Sequence, residues 1–176
     1  MEKNELKELQ APLKERYKAD PQSALVMLKA EGRLGERLTC NIATGRALVE
    51  AGLHPATGGN GQFACSGDML LQALVACVGV TLHAVATSMG IEAKGGQIVA
   101  EGDLDFRGTL GVVKDVPVGF QAIRLRVHLE NELDLATKQK LLELTARYCV
   151  VYQTLRQGIH LNLEYESQKH IPSLPR

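Results

Sequence analysis

Two stretches in the second half of the chain alternate between apolar and polar residues. They cover residues 97–106 and 122–130 and are separated by a connection over residues 108–119. Their apolar positions are Ile98, Ala100, Leu104 and Phe106 in the first, and Ile123, Leu125, Val127 and Leu129 in the second. A period of two residues is typical of antiparallel strands with one buried and one solvated face. The pattern therefore predicts two half-buried strands joined as a long hairpin.

The longest apolar stretch predicts a helix from Ser66 to Met89. Ser66 is the predicted N-cap, and Asp68 favours the positive end of the helix dipole. Gly90 follows the last apolar turn and supplies the predicted stop. No Asp, Glu, Lys or Arg occurs over residues 69–91. A helix that is apolar on nearly every side is expected inside a protein core.

The same stretch is long enough to cross a bilayer, which takes about 20 residues. It also carries polar side chains, and neither an aromatic belt nor a cationic flank marks its ends. These polar residues are Gln72, Thr81, His83, Thr87 and Ser88. The charged N-terminus lacks the apolar region of a signal peptide. We therefore expect a core helix in a cytoplasmic protein that has no membrane partner.

The N-terminal third predicts an arm followed by short strands. Residues 1–36 are charged and are broken near Pro12 and Pro21, and we expect a helical arm that packs on the body or on a partner, with a frayed tail as the alternative. Residues 37–43 and 46–53 are strand candidates separated by a Thr-Gly turn. Residues 54–63 are a glycine-rich loop without periodicity. The body of the protein is thus predicted to begin at residue 37.

The C-terminal third predicts helix followed by strand. Asp134 is the expected cap of a helix that places Cys149 on its inward face. A second helical piece follows and ends at Gly158. Residues 159–165 alternate again and predict a closing strand. The fold class predicted from these elements is α+β, with one domain over residues 37–176.

Composition excludes several classes of function. The chain has 176 residues, a net charge of zero and no Trp. It therefore lacks the basic surface and the stacking residues that nucleic-acid binding needs. The histidines share no metal-ligand spacing. The GGNG run lacks the strand–loop–helix context of a phosphate-binding loop.

Four cysteines are the remaining candidates for chemistry. Their irregular spacing in a chain with an adequate core favours free or redox-active thiols over structural disulfides. Cys77 and Cys149 each lie within an apolar helical segment, where a lone cysteine is usually a small core residue. Two such segments in one small domain are expected to pack together, which makes contact between these thiols plausible. Cys40 is expected to pack in a strand, and Cys65 is either a bystander or an accessory thiol.

Two runs give the sequence a specific resemblance. SGDMLLQALVACVGVTLHAVATSMGI, containing Cys77, resembles the central helix of the OsmC/Ohr family, which carries that family's peroxidatic cysteine. LLELTARYCVVYQTL, containing Cys149, resembles the family's C-P-V-x-x-T-L element, which carries the resolving cysteine. The order and spacing of the two runs agree with the family over residues 37–166.

The resemblance implies a fold and an activity. The expected fold has antiparallel sheets wrapped around long buried central helices in an interlocked homodimer. The expected activity is thiol-dependent reduction of organic hydroperoxides, with Cys77 as nucleophile and Cys149 resolving its sulfenic acid. The implied partners are a hydroperoxide substrate and a dithiol reductant, with no metal or organic cofactor.

Some positions depart from the family. A cysteine in apolar surroundings has a raised pKa, and the family activates its thiol with an Arg and a Glu. The Glu position corresponds to Gly67, with the shorter Asp68 beside it. Arg46 is the best candidate for the Arg, and Arg37 is the second. Val150 replaces the family's Pro and is expected to alter helix geometry more than chemistry.

Two other functions stay open at this point. A non-catalytic module could bind a small hydrophobic ligand in the pocket between the helices, with the thiols incidental. A purely structural dimer is the weaker alternative. Gly67 favours the binding module, whereas retention of both Cys77 and Cys149 favours the peroxidase.

Overall fold

The protein has a mixed architecture of helices and two separate sheets, seen in a computed structural model. The structure describes Lys3, Asn4, Glu8, Ala11, Ala19 and residues 32–34, 40–43, 48–92, 96–111, 114–130 and 132–165. Helices and strands are both present in quantity, and the predicted α+β class is confirmed.

The first sheet is formed by short strands near the N-terminus. Its strands are β1 (Gly32–Leu34), β2 (Cys40–Ala43), β3 (Leu48–Gly52) and β4 (Ala64–Cys65). The first three run antiparallel in sequence order, and β4 pairs parallel to β3. β2 and β3 lie within the predicted strands. β1 lies in the segment predicted to be helical, so that expectation is wrong at these three residues, which pair with β2 instead.

The second sheet is a two-stranded antiparallel ribbon of β5 (Gly96–Leu104) and β6 (Phe120–Leu129). Ile98 lies opposite Val127 on the face that packs on the core. On the outer face, Arg124 binds Asp103 through two contacts of 2.5 and 2.7 Å. The predicted alternation is confirmed. Phe106 is the exception, because it begins a single helical turn, α2 (Phe106–Thr109).

Helix α1 (Ser66–Met89) lies across both hydrophobic clusters of the described core. It ends at Gly90, whose φ of 73° is left-handed, as the predicted stop requires. Ser66 was expected to cap this helix, but the N-cap is Cys65. Cys65 is the last extended residue (ψ 128°), and Ser66 is already helical.

The same helix is long and apolar enough to span a membrane. Among the described residues it is the one helix with this property, and 28% of the span is buried inside the protein. The buried side chains follow three- and four-residue steps: Leu74, Val78, Leu82, Val85 and Ala86. They pack on β5, β6 and helix α3 (Leu135–Tyr148), as expected of a core helix.

Helix α3 begins where predicted and ends one residue earlier than expected. The Asp134 side chain accepts a 2.9 Å hydrogen bond from the Thr137 N–H, which confirms the predicted cap. Cys149, placed by prediction inside a helix, is extended instead (ψ 112°). It is the C-cap of α3 and the N-cap of helix α4 (Val150–Gln157). One extended residue thus separates the two helices.

The predicted closing strand is wrong for the chain as described. Residues 158–165 form no strand, and their side chains are all exposed. Ile159, Leu161, Leu163 and Tyr165 are 61–99% exposed. A strand needs an edge to pair with, and this segment pairs with none of the described strands.

Candidate functional site

The structure brings Cys77 and Cys149 together. Cys149 is fully buried beside Leu74 and Val78, and the half-buried Cys77 packs against this cluster. Both thiols are free, with no disulfide between them. The expected contact between the two helical segments is therefore present, although Cys149 reaches it from a helix junction.

Two backbone hydrogen bonds, one to each neighbouring helix, fix the conformation of Cys149. Its N–H donates to the Thr145 carbonyl at 3.0 Å, which closes α3. Its carbonyl accepts from the Gln153 N–H at 3.0 Å, which opens α4. This junction points the first N–H groups of α4 toward α1, where Cys77 lies.

The pKa of Cys77 is lower than that of an ordinary cysteine. Burial raises it, but several hydrogen-bond donors outweigh burial. These donors are the N–H of Val151, the thiol of Cys149, the hydroxyl of Thr81 and the N–H of Val150. Each stabilises a negative sulfur more than a neutral one. The sequence predicted a raised pKa for a buried thiol here, and that expectation is reversed.

The pKa of Cys149 moves in the opposite direction. Burial raises it most, and the adjacent Cys77 raises it further by hydrogen bonding and by its charge. The N–H of Tyr152 and the hydroxyl of Thr81 oppose this rise without cancelling it. Cys77 is therefore the group that ionises first, while Cys149 keeps its proton and donates to it.

Thr81 is a site residue that the sequence reading missed. It lies four residues after Cys77, on the same face of α1, and its hydroxyl interacts with both sulfurs. By contrast, the Thr87 and Thr145 hydroxyls bind the carbonyls four residues before them, at 2.8 and 2.7 Å. The four-residue spacing from Cys77 was the available signal for Thr81.

Other predicted positions are distant from the thiols. Gly67, at the family's Glu position, lies ten residues before Cys77 and so about 15 Å away along α1. The neighbouring Asp68 is exposed, and Cys65 is half-buried at the N-cap. A Cβ at Gly67 would meet its neighbours at 3.5–3.6 Å, so packing does not require glycine.

The remaining sequence candidates lie outside the described residues. Arg46 and Arg37 belong to this group, and the Cys40 side chain does too. Within the described part of the chain, no group of three or more His, Cys, Asp or Glu side chains could hold a metal ion.

A cavity opens next to the thiol cluster. Its volume is about 440 Å³, within the usual range for small-molecule sites. It is lined by Leu74, Phe120, Gln121, Ala122, Ile123, Leu125, Tyr152, Leu155 and Arg156. Leu74, Ile123, Leu125 and Tyr152 also belong to the cluster around Cys77 and Cys149. An apolar molecule in the cavity would therefore lie beside the thiol pair.

The chain is similar to a family of known proteins. The family described as "OsmC-like protein" matches residues 59–164, which include Cys77 and Cys149. No curated protein sequence matches the chain significantly.

Solved structures share the fold at low identity. An OsmC-like protein from Mycoplasma pneumoniae is 17% identical with a TM-score of 0.61, over 76% of this chain and 89% of that one. An organic hydroperoxide resistance protein OsmC from Legionella pneumophila is 16% identical with a TM-score of 0.59, over 75% and 90%. The organic hydroperoxide resistance protein OhrB of Bacillus subtilis is 20% identical with a TM-score of 0.55, over 76% and 93%. At such identities the likeness shows the fold alone.

Proposed function

The chain belongs to the OsmC-like protein family, and we propose that it reduces organic hydroperoxides with its cysteine thiols. The observation that carries the proposal is the division of roles between the two sulfurs. Cys77 has a lowered pKa, and the adjacent Cys149 has a raised one. A thiolate nucleophile beside a protonated second thiol is the arrangement that peroxide reduction and disulfide resolution need. Two of the similar structures are described as organic hydroperoxide resistance proteins, which supports the choice of substrate class.

The proposed cycle has three steps. The Cys77 thiolate attacks the peroxide, so that an S–O bond forms, the O–O bond breaks and the alcohol leaves after taking up one proton. Cys149 then attacks the Cys77 sulfenic acid, which forms the disulfide and releases water. A dithiol reductant finally reduces this disulfide and is itself oxidised to a disulfide. One hydroperoxide and one dithiol thus give one alcohol, one water and one oxidised reductant.

We also propose a cytoplasmic location and a homodimeric state. The fold is that of a soluble OsmC-like protein, in which Ser66–Met89 is a core helix. Free thiols at a buried site are typical of a reducing compartment, which supports the cytoplasm.

Mild hydroperoxide treatment is expected to link Cys77 and Cys149 in an intramolecular disulfide. The two thiols are in contact, so the sulfenic acid at Cys77 forms within reach of its resolving partner. Non-reducing peptide mapping should recover the peptide pair that contains both residues. A disulfide through Cys40 or Cys65 instead would contradict the assignment.

The matched variant for this experiment is Cys149→Ser. It keeps the nucleophile but lacks the resolving thiol, so the sulfenic acid at Cys77 should persist and react with a dione reagent. Wild-type protein should give little of this adduct, because resolution competes with trapping.

Arg46→Ala is expected to slow alkylation of Cys77 near neutral pH. We propose Arg46 as a cation that favours the Cys77 thiolate, from its place in the sequence. Loss of a nearby positive charge raises a thiol pKa, so the rate profile should move to higher pH. Peptide-resolved iodoacetamide kinetics measure this, with Arg37→Ala as the control. An unchanged Arg46→Ala profile, with a shifted Arg37→Ala profile, would transfer the role to Arg37.

A non-catalytic binding module is the second candidate, and the 440 Å³ cavity beside the thiols favours it. The apolar side chains of its lining suit a small hydrophobic ligand, with Gln121 and Arg156 as polar groups among them. Gly67 supplies no carboxylate at the family's Glu position. One assay distinguishes the peroxidase from the binding module. Wild-type protein that consumes neither cumene hydroperoxide nor a fatty-acid hydroperoxide in the presence of a dithiol would favour the binding module.

A further inference from the structure

Val150 begins helix α4 directly after Cys149, and its side chain is 70% exposed. The side chain therefore contributes little to the core. Its backbone N–H is one of the first in α4, which have no partner within the helix. Cys77, Val151 and Tyr152 all pack against the buried cluster that contains Cys149, so the start of α4 lies beside Cys77. The N–H groups at the start of α4, which have no partner within that helix, thus lie beside the sulfur of Cys77 on α1.

We propose that the N-terminus of α4 holds Cys77 as the reactive thiolate, and that residue 150 tunes this nucleophile through its backbone N–H. The proposal rests on the proposed function, because it takes Cys77 as the nucleophile. Valine at this position supplies a donor that proline, the residue of the resembled C-P-V-x-x-T-L element, lacks. Val150, which the sequence predicts to alter helix geometry more than chemistry, therefore acts on the chemistry of Cys77.

Two physical effects act in the same direction at this helix end. The N–H groups of Val151 and Val150 donate to the sulfur and lower the Cys77 pKa against the effect of burial. The partial positive charge at the start of an α-helix also favours an anion. Reactive cysteines at helix N-termini owe their low pKa to these effects. Here the thiol comes from a different helix, which leaves Cys149 free to act as the resolving residue.

Among the described residues, the titratable groups around Cys77 offer no other explanation of its lowered pKa. Cys149 at the α3–α4 junction and Tyr152 on α4 belong to the same packed cluster as Cys77. On β5 and β6, the residues packed near it are Ile98, Ile123 and Leu125, while the charged Glu101, Asp103, Arg124 and Arg126 pair on the opposite face. On α1 the nearest titratable side chain is His83, which is exposed. Arg156 lies one turn beyond Tyr152 and lines the cavity.

The backbone accepts proline at residue 150, which makes a clean test possible. Proline is favoured at the first position of a helix, because its fixed φ suits that position. The residue before a proline must be extended, and Cys149 already has φ −76° and ψ 112°. Val150→Pro therefore removes one N–H donor with little other change, and Val150→Ala keeps the donor while shortening the side chain.

The test is peptide-resolved alkylation of Cys77 by iodoacetamide as a function of pH, on the reduced full-length protein. For Val150→Pro we expect the profile to move to higher pH, with a rate near neutral pH about 3- to 10-fold lower, as for loss of one hydrogen bond of ordinary strength. Val150→Ala should coincide with the wild type. An unshifted Val150→Pro profile, or an equal shift in Val150→Ala, would overturn the proposal.

A second measurement uses the wild type and does not depend on how a variant folds. The amide resonances of Val150 and Val151 should titrate with the midpoint found for Cys77 alkylation, and Cys77→Ser should abolish that titration. Amides that do not respond would overturn the proposal. Neither measurement needs peroxide. A protein without peroxidase activity would therefore contradict the proposed function, while these two measurements would still test the role of the α4 N-terminus.

Discussion

Replacing Cys77 with serine is expected to abolish dithiol-dependent consumption of organic hydroperoxides, with a loss of at least about 100-fold. A serine hydroxyl is not ionised near neutral pH and cannot replace the thiolate as nucleophile. The donors around residue 77 cannot compensate, because they stabilise an anion that serine does not form. Loss of cumene hydroperoxide, measured with a dithiol in excess, gives the rate.

The chain offers a matched control in Cys65→Ser. Cys65 is also a free and half-buried thiol, but it lies twelve residues before Cys77, about 18 Å away along α1. Its replacement should leave the rate within about twofold of the wild type, as for surface changes away from the site. Activity that survives Cys77→Ser, or that is lost in Cys65→Ser, would contradict the assignment of the nucleophile.

Val80→Glu is expected to convert the proposed dimer into monomers or to unfold the protein. One side of α1 is left exposed in the single chain, along Leu70, Ala73, Ala76, Val80 and His83. Val80 is 74% exposed. Soluble monomers rarely expose apolar patches larger than a few hundred Å². At about 25 cal/mol per Å², covering such a patch with a second copy contributes several kcal/mol before the cost of association.

A glutamate in that interface would be buried without a partner, at a cost of several kcal/mol. Because each 1.4 kcal/mol is a factor of ten, the dissociation constant should rise at least about 100-fold. Sedimentation at micromolar concentration measures the change. The wild type should also unfold with a midpoint that rises with protein concentration.

Val118→Glu is the control for the dimer. Val118 is 72% exposed, almost as much as Val80, but lies in the connection before β6 and not on α1. Its replacement should leave the sedimentation profile unchanged. A wild type that sediments as a folded 19.1 kDa monomer would exclude the dimer.

Local sequence determined the elements whose signals are complete within a few residues. Asp134 caps α3 because its carboxylate reaches an N–H three residues away. Gly90 ends α1 because the left-handed turn there suits a residue without a side chain. The two faces of β5 and β6 could be predicted from the sequence, because successive side chains along a strand point to opposite faces. The family could also be recognised from local sequence, because the runs that contain Cys77 and Cys149 both lie inside the matched residues 59–164.

The tertiary structure alone decided the chemistry of the site. The break at Cys149 leaves no periodic signal, because a single extended residue between two helical runs does not disturb their apolar pattern. Only the packing of α4 on α1 then places its first N–H groups at Cys77. The pKa of a thiol depends on such donors within a few ångströms, whereas sequence reports only that the surroundings are apolar. Residues 159–165 form no strand for a similar reason. Alternation predicts a strand, but a strand forms only where the tertiary structure provides an edge with which it pairs.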